Sequence, residues 1–212
     1  MNPATDLRLV LASASPRRAA LLRQLGLAFE QVISPEPEPV PNGAPPAEFA
    51  ATSARCKARA VHRLLAAAEP PHPPRLIVGA DTVVCRGRAL LGKPSDARAA
   101  EAMLASLAGR THRVYTGVCV VAADGSEHTD AATTSVRMRP LSSAEIAAYV
   151  ASGEPLDKAG AYGIQGLGAR FIERIDGCYY NVVGLPLERL CRLLAAAGYR
   201  FPTTSQTTVT DE

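Results

Sequence analysis

An α/β domain built on a central mixed, twisted sheet flanked by helices is the fold class this sequence predicts, and three observations predict it. Short apolar runs alternate with helix-period segments along most of the 212 residues. Val114 to Val121 reads as a central strand, followed by the tight-turn signal Asp124-Gly125 and a partner run from Thr133 to Met138. That hairpin is antiparallel, so the sheet is mixed rather than purely parallel.

The elements follow in order. Leu9 to Leu11 is the first strand, Ser13 and Ser15 make a polar turn, and Pro16 suits the first position of a helix whose Leu21, Leu22 and Leu25 face inward. Ser15 is its natural N-cap. Phe29 to Ile33 reads as a second strand, stopped by the stiff segment SPEPEPVPNGAPP. Ala47 to Ala68 gives a long helix with Phe49, Cys56, Ala60, Val61, Leu64 and Leu65 on or near one face, ended by PPHPP. Leu76 to Gly79 is a strand that stops at Ala80-Asp81-Thr82, and Val83 to Cys85 resumes it before the turn at Gly87. Ser95 is an N-cap candidate for a helix to about Leu107, closed by Gly109, and Ser142 or Ser143 caps another that ends near Gly153. The glycine-rich segment from Asp157 to Ala169 suits a loop that brings backbone close to a ligand or to another segment. Phe171 to Ile175 is a strand, Asp176-Gly177 a turn, and Pro186 to Ala197 a last amphipathic helix. Residues 1–200 read as one domain and 201–212 as a polar, frayed tail.

Composition narrows the function. A hydrophobic fraction of 47% without an apolar run near the length of a membrane span predicts a soluble protein, and MNPATDLRLV lacks the features of a secretory signal, so the expected location is the cytoplasm. The five scattered cysteines form no CxxC pair and are expected reduced. A net charge of +3 is too small and too dispersed for a nucleic-acid surface. Among 23 basic residues only Lys57, Lys93 and Lys158 are lysines, which marks them as positions where a compact ammonium is needed.

The opening of the first helix is the most informative stretch. Its unpaired N–H groups and partial positive charge welcome an anion, yet Arg17 and Arg18 sit beside it, so a bound polyanion is the simplest compensation. Polar clusters at Ser13 to Arg18, Glu38, Asp81 with Thr82, and Lys93 fall in or beside loops that an α/β sheet gathers at one rim, and Asp157 to Gln165 follows later. Asp81 is either a turn-forming or capping residue, or a general base for water, a Mg²⁺ ligand, or both. Metal-assisted attack on a phosphoryl group needs oxygen ligands, cations along the phosphate chain and a positioned water. Asp81 and Glu38 can supply the first, and Arg17, Arg18, Lys93 and Lys158 the second. GxSxG, HExxH, GxGxxG and the P-loop are all missing, which argues against serine hydrolase, zinc and the commonest nucleotide-loop chemistries.

LASASPRRAALLRQLGL, VGADTVV, LGKP, GRTHRVYTGV and the segment from Ser152 to Pro186, in this order, resemble the Maf-like nucleoside triphosphate pyrophosphatases over about residues 8–198. The DKAGAYGIQG form, with Gln165, resembles the branch acting on dTTP and UTP. The resemblance implies an elongated, two-lobed single domain with a substrate cleft, often paired as a homodimer. It implies Asp81 as proton acceptor, Arg17, Thr82 and Gln165 in substrate selection, and Ser13, Arg18, Glu38, Lys93, Asp157 and Lys158 lining the substrate and metal site. Mg²⁺, or another divalent cation such as Mn²⁺, is the implied cofactor, with Asp81 and Glu38 its ligands. Where the family often has an acidic run such as DIDE this chain has Glu36-Pro37-Glu38. Two other readings remain open: a nucleotide-binding regulator of cell division, and the same chemistry on a purine or 7-methyl-GTP.

Overall fold

Strand β1 (Arg8–Leu11) buries Leu9, Val10 and Leu11 in succession because it lies inside a sheet covered on both faces. Its neighbours β2 (Phe29–Gln31) and β3 (Arg75–Arg86) both run parallel to it. The remaining strands are β4 (Ala89–Leu91), β5 (Thr111–Val121), β6 (Glu127–Met138) and β7 (Ile172–Asp176). β5, β6 and β7 continue the sheet antiparallel from β3 in the order β2-β1-β3-β5-β6-β7, while β4 folds back on β3. This is a computed structural model, which describes residues 7–37, 39, 43–67 and 73–201. Glu38 and the tail from residue 202 lie outside the described residues.

The edge of β3 creates the opening that matters for function. β1 pairs with β3 only as far as Val78, and β4 only from Val84 onward. Residues 79–83 therefore have a strand neighbour, β5, on one side only. Because side chains alternate across a strand, Asp81 and Thr82 leave this bared edge toward opposite faces of the sheet.

Among the described residues six α-helices cover those faces: α1 (Pro16–Gln24), α2 (Pro46–Ala66), α3 (Ala97–Leu107), α4 (Ser143–Ala151), α5 (Tyr179–Val183) and α6 (Leu187–Ala196). α2 takes one face, packing Ala54, Ala58 and Val61 on Val10, Ile77, Cys119 and Val121. The other face carries two cores. In the first, Leu21 and Leu22 of α1 and Leu187, Leu190 and Leu194 of α6 meet Leu9, Leu11, Val78 and Val120. In the second, Leu104 and Leu107 of α3 and Ile146 and Tyr149 of α4 meet Val84, Val114, Val136 and Phe171. Val183 of the first core and Val84, Val114 and Tyr162 of the second line one cavity.

Several local expectations are corrected. β3 is one continuous strand, so Asp81 sits mid-strand rather than at a strand end: its pairing with Gly117 of β5 keeps the backbone extended through the polar pair. The N-cap of α3 is Asp96, whose carboxylate accepts from the Ala99 N–H at 2.7 Å, while Ser95 donates its hydroxyl to Asp96. β2 ends at Gln31, and Ile33 is exposed. A short helix, α5, stands where the sequence offered only a stretch after a turn. On α2, Phe49, Ala60 and Val61 are buried as expected and Leu65 packs against the same core as Val61, but the face centres on the small stripe Ala50, Ala54, Ala58 and Val61, whereas Leu64 is exposed and Cys56 only half-buried. Gly79 and Gly117 explain the rotation: a Cβ on either would lie 2.2–2.3 Å from α2 backbone atoms, so the helix rides directly on the strands and only small side chains fit beneath it.

Candidate active site

Ser15 caps α1, its hydroxyl accepting from the Arg18 N–H at 3.5 Å, and Pro16 opens the helix as the sequence predicts. The turn before it is fixed by Ser13, whose Oγ accepts from the Ser15 N–H at 3.2 Å and from Arg18 Nη1 at 3.0 Å. With both lone pairs engaged, the Ser13 hydroxyl hydrogen is what this group has left to offer. Arg18 is held further by Nε donating to the Gly184 carbonyl at 2.8 Å and Nη2 to Thr82 Oγ1 at 3.1 Å. A guanidinium clamped at three of its nitrogens keeps its fork in one plane.

The rotation of α2 delivers the group the sequence reading left out of its site. Lys57, on the flank of the alanine stripe, places Nζ 2.5 Å from Asp81 Oδ1, with both side chains largely buried. Its only sequence signal was the scarcity of lysine. A buried carboxylate needs such a partner, and the charge-assisted bond fixes which oxygen of Asp81 points inward.

Across the opening, residues 154–171 run through three 3₁₀ segments, the first and last tied together by one carboxylate. Glu154 accepts from the Tyr149 hydroxyl at 2.9 Å and from the Leu167 and Gly168 N–H groups at 2.9 and 3.1 Å. Burial raises its pKa, but those bonds and the Lys158 charge outweigh it and hold the carboxyl below its ordinary value. Lys158 donates to the Glu154 carbonyl at 2.5 Å and to Asp157 at 2.6 Å, and Asp157 also pairs with Arg17 at 3.1 Å. Partial burial raises Asp157 too, and Lys158 and Arg17 more than offset it, so its carboxyl stays charged. Beneath the loop, Tyr162 shares a 2.7 Å hydrogen bond with His112 Nε2, and burial lowers that imidazole to about 4, leaving it neutral at pH 7.

Ser13, Arg17, Arg18, Asp81, Thr82, Lys93, Asp157, Lys158 and Gln165 all line a single cavity of about 580 Å³, together with Lys57 and Glu36. Gln165 is exposed at its rim and makes no side-chain hydrogen bond among the described residues. Glu38 lies outside the described residues, so its expected role has no geometry. An opening with a helix N-terminus and five Lys or Arg side chains on its walls suits a compact polyanion, and Asp81 with Lys57 puts a fixed carboxylate within it.

A family model described as Maf-like protein matches residues 8–197. The dTTP/UTP pyrophosphatase of Salinibacter ruber is 52% identical over 202 residues, spanning 93% of this chain and 95% of its own. That of Moorella thermoacetica is 54% identical over 193 residues, spanning 90% and 95%. The Deinococcus radiodurans protein of the same description is 46% identical over 198 residues, spanning 93% and 97%.

Proposed function

The chain belongs to the Maf-like protein family, and from that premise we propose that it is a hydrolase that cleaves dTTP and UTP to the nucleoside monophosphate and pyrophosphate. The observation that carries this reading is the convergence on one cavity of five cationic side chains, a helix N-terminus and the Asp81–Lys57 pair, in a chain about half identical to proteins of that description.

In this reading the triphosphate lies between the start of α1 and the 154–171 segment. Arg18, locked to Ser13, Thr82 and Gly184, meets the phosphate chain without having to reorganise, and Ser13 donates its remaining hydrogen to a phosphate oxygen. Lys93, Lys158 and Arg17 neutralise further charge. Lys57 holds one oxygen of Asp81, and the other accepts the proton of the attacking water. The water oxygen bonds to the α-phosphorus as the bond to the bridging oxygen breaks, and that oxygen leaves with the electron pair as pyrophosphate. Gln165 offers both a donor and an acceptor, matching the N3–H and O4 of thymine or uracil.

The carboxylates on the cavity wall, Glu36, Asp81 and Asp157, are hard oxygen donors, and the described residues contain no cluster of three potential ligands. That set fits Mg²⁺ or Mn²⁺, which bind nucleotide enzymes through one or two carboxylates and take the rest of their shell from phosphate and water. Asp81 would hold the ion, with Glu38 as the second ligand from the sequence. When bound, it supplies charge neutralisation and a polarised phosphoryl group. No described helix is long and apolar enough to cross a membrane; a cytoplasmic homodimer remains part of the proposal.

The test is to incubate the purified protein with a panel of nucleoside triphosphates and Mg²⁺ and to resolve the products. Pyrophosphate and monophosphate from dTTP and UTP are expected, and Asp81→Asn should lower kcat by about 10³-fold. Release of orthophosphate, or a preference for purine triphosphates, overturns the reading.

A further inference from the structure

A ladder of buried hydroxyl and amide groups separates the two cores on one face of the sheet. Thr116 and Asn181 are completely buried and Thr134 is 1% exposed. Thr116 Oγ1 donates to the Asn181 carbonyl at 2.9 Å, and lies 3.0 Å from Thr82 Oγ1. The Asn181 amide donates to the Val114 carbonyl at 3.0 Å and to Thr134 Oγ1 at 2.9 Å, and Thr134 donates to the Cys178 carbonyl at 3.0 Å.

The directions of these bonds are forced. A carbonyl only accepts, so the single hydrogen of Thr116 is committed to Asn181, and Thr116 receives from Thr82. Thr82 has then given up its own hydrogen, and toward Arg18 Nη2, 3.1 Å away, it only accepts. The result is a one-way chain: Arg18 to Thr82 to Thr116 to the Asn181 carbonyl. Thr82 lines the cavity but has no hydrogen left to donate to a ligand. Thr116 and Asn181 do not line the cavity.

Such a ladder is a poor way to gain stability. It interrupts what would otherwise be continuous apolar packing, and it leaves Asn181 Oδ1 buried without a hydrogen-bond partner among the described residues. What it does supply is geometry. α5 carries the Asn181 carbonyl to Thr116, and Gly184, the residue after α5, places its own carbonyl on Arg18 Nε. The same short helix therefore fixes the guanidinium from two directions.

We infer that Thr116 and the Asn181 carbonyl are positioning residues which act through Thr82 to set the plane of the Arg18 guanidinium for the triphosphate chain. The inference rests on the proposed triphosphate chemistry of the cavity, and its test separates the two.

Thr116→Val keeps the shape of the side chain but removes both the donor to the Asn181 carbonyl and the acceptor for Thr82, whereas Thr116→Ser keeps both. The hydrolysis of dTTP is measured together with the ¹⁵N-edited side-chain Nε–H signal of Arg18, assigned by its loss in Arg18→Lys. In Thr116→Val the Arg18 signal should shift or broaden and kcat/KM should fall about tenfold. Thr116→Ser should restore both to within about twofold. An Arg18 signal unmoved in Thr116→Val overturns the inference whatever the activity does. So does wild-type kcat/KM with the signal displaced, because orientation would then not matter. Should the unmodified protein fail to hydrolyse dTTP while the Arg18 signal responds as expected, the proposed function falls and the coupling from Thr116 to Arg18 stands.

Discussion

The two cores that share one face of the sheet are built by different means. The first, under α1 and α6, is a strand–helix unit: side chains from regular elements fill it, and its contribution to the cavity, Ser13 to Arg18, hangs from a helix start. The second, under α3 and α4, is closed by residues 159–171, which run through consecutive turns and depend on glycine. Gly168 packs so closely that a Cβ there would lie 2.4 Å from the Gly163 carbonyl oxygen, and Ala161 is held at φ 58°, the one described non-glycine residue at positive φ. One side of the cavity is rigid because its backbone is periodic; the other is held by Glu154, Tyr149 and the Tyr162–His112 pair. A polar ladder divides them.

Acid should weaken the second side. Among the described residues His112 is the only buried histidine, and it lies beneath the second core. In the unfolded chain the imidazole titrates near its ordinary 6.5, and in the folded protein only near 4. Between those values the unfolded state binds more protons, so stability is full above about pH 6.5 and is lost as the pH falls toward 4, by at most about 3 kcal/mol. Urea unfolding of the native protein and of His112→Gln from pH 7.5 to 4 checks this. The variant should show the shallower acid slope, and parallel slopes would mean that other groups dominate.

The next effect, about 1.4 kcal/mol or tenfold, concerns base selection at the rim of the second side. Gln165 is exposed, so Gln165→Ala should leave Tm nearly unchanged while narrowing the preference for dTTP and UTP over dCTP about tenfold. Competition assays with mixed triphosphates measure the ratio directly. An unchanged ratio would move base reading to another part of the wall.

The contrast between the two sides also explains what the sequence made legible. Leu9 to Leu22 carries its structure locally, in an apolar run, a capping serine and a proline at the first helical position, and the folded chain follows it. The hairpin at Asp124-Gly125, with Gly125 at φ 83°, is legible for the same reason. The mid-strand position of Asp81 was hidden because its extended backbone is dictated by pairing with β5, a tertiary effect that a polar dipeptide masks. The rotation of α2 was hidden too: Gly79 and Gly117 select the alanine stripe over the larger Leu64, and only then does Lys57 meet Asp81. Periodicity finds apolar faces, and it does not weigh how closely two backbones approach.

The smallest expected effect decides what Asp157 does. By resemblance it lines the substrate site, but a carboxylate repels a triphosphate, and in the structure it faces Arg17 of the first side and Lys158 of its own. The Arg17–Asp157 pair spans the cavity between the two sides, with Asp157 60% exposed, so it contributes under about 1 kcal/mol to stability. A phosphate chain entering the cavity competes with Asp157 for Arg17. Removing the charge should therefore help binding: Asp157→Asn is expected to lower KM for dTTP about two- to fivefold with Tm nearly unchanged, opposite in sign to Arg17→Ala, which should raise KM. Because the pair is solvent-exposed, the difference between native and Asp157→Asn proteins should shrink as salt rises. A rise in KM for Asp157→Asn would instead give this carboxylate a direct hold on substrate or metal, and would make the second side a binding wall rather than a clasp that yields to the ligand.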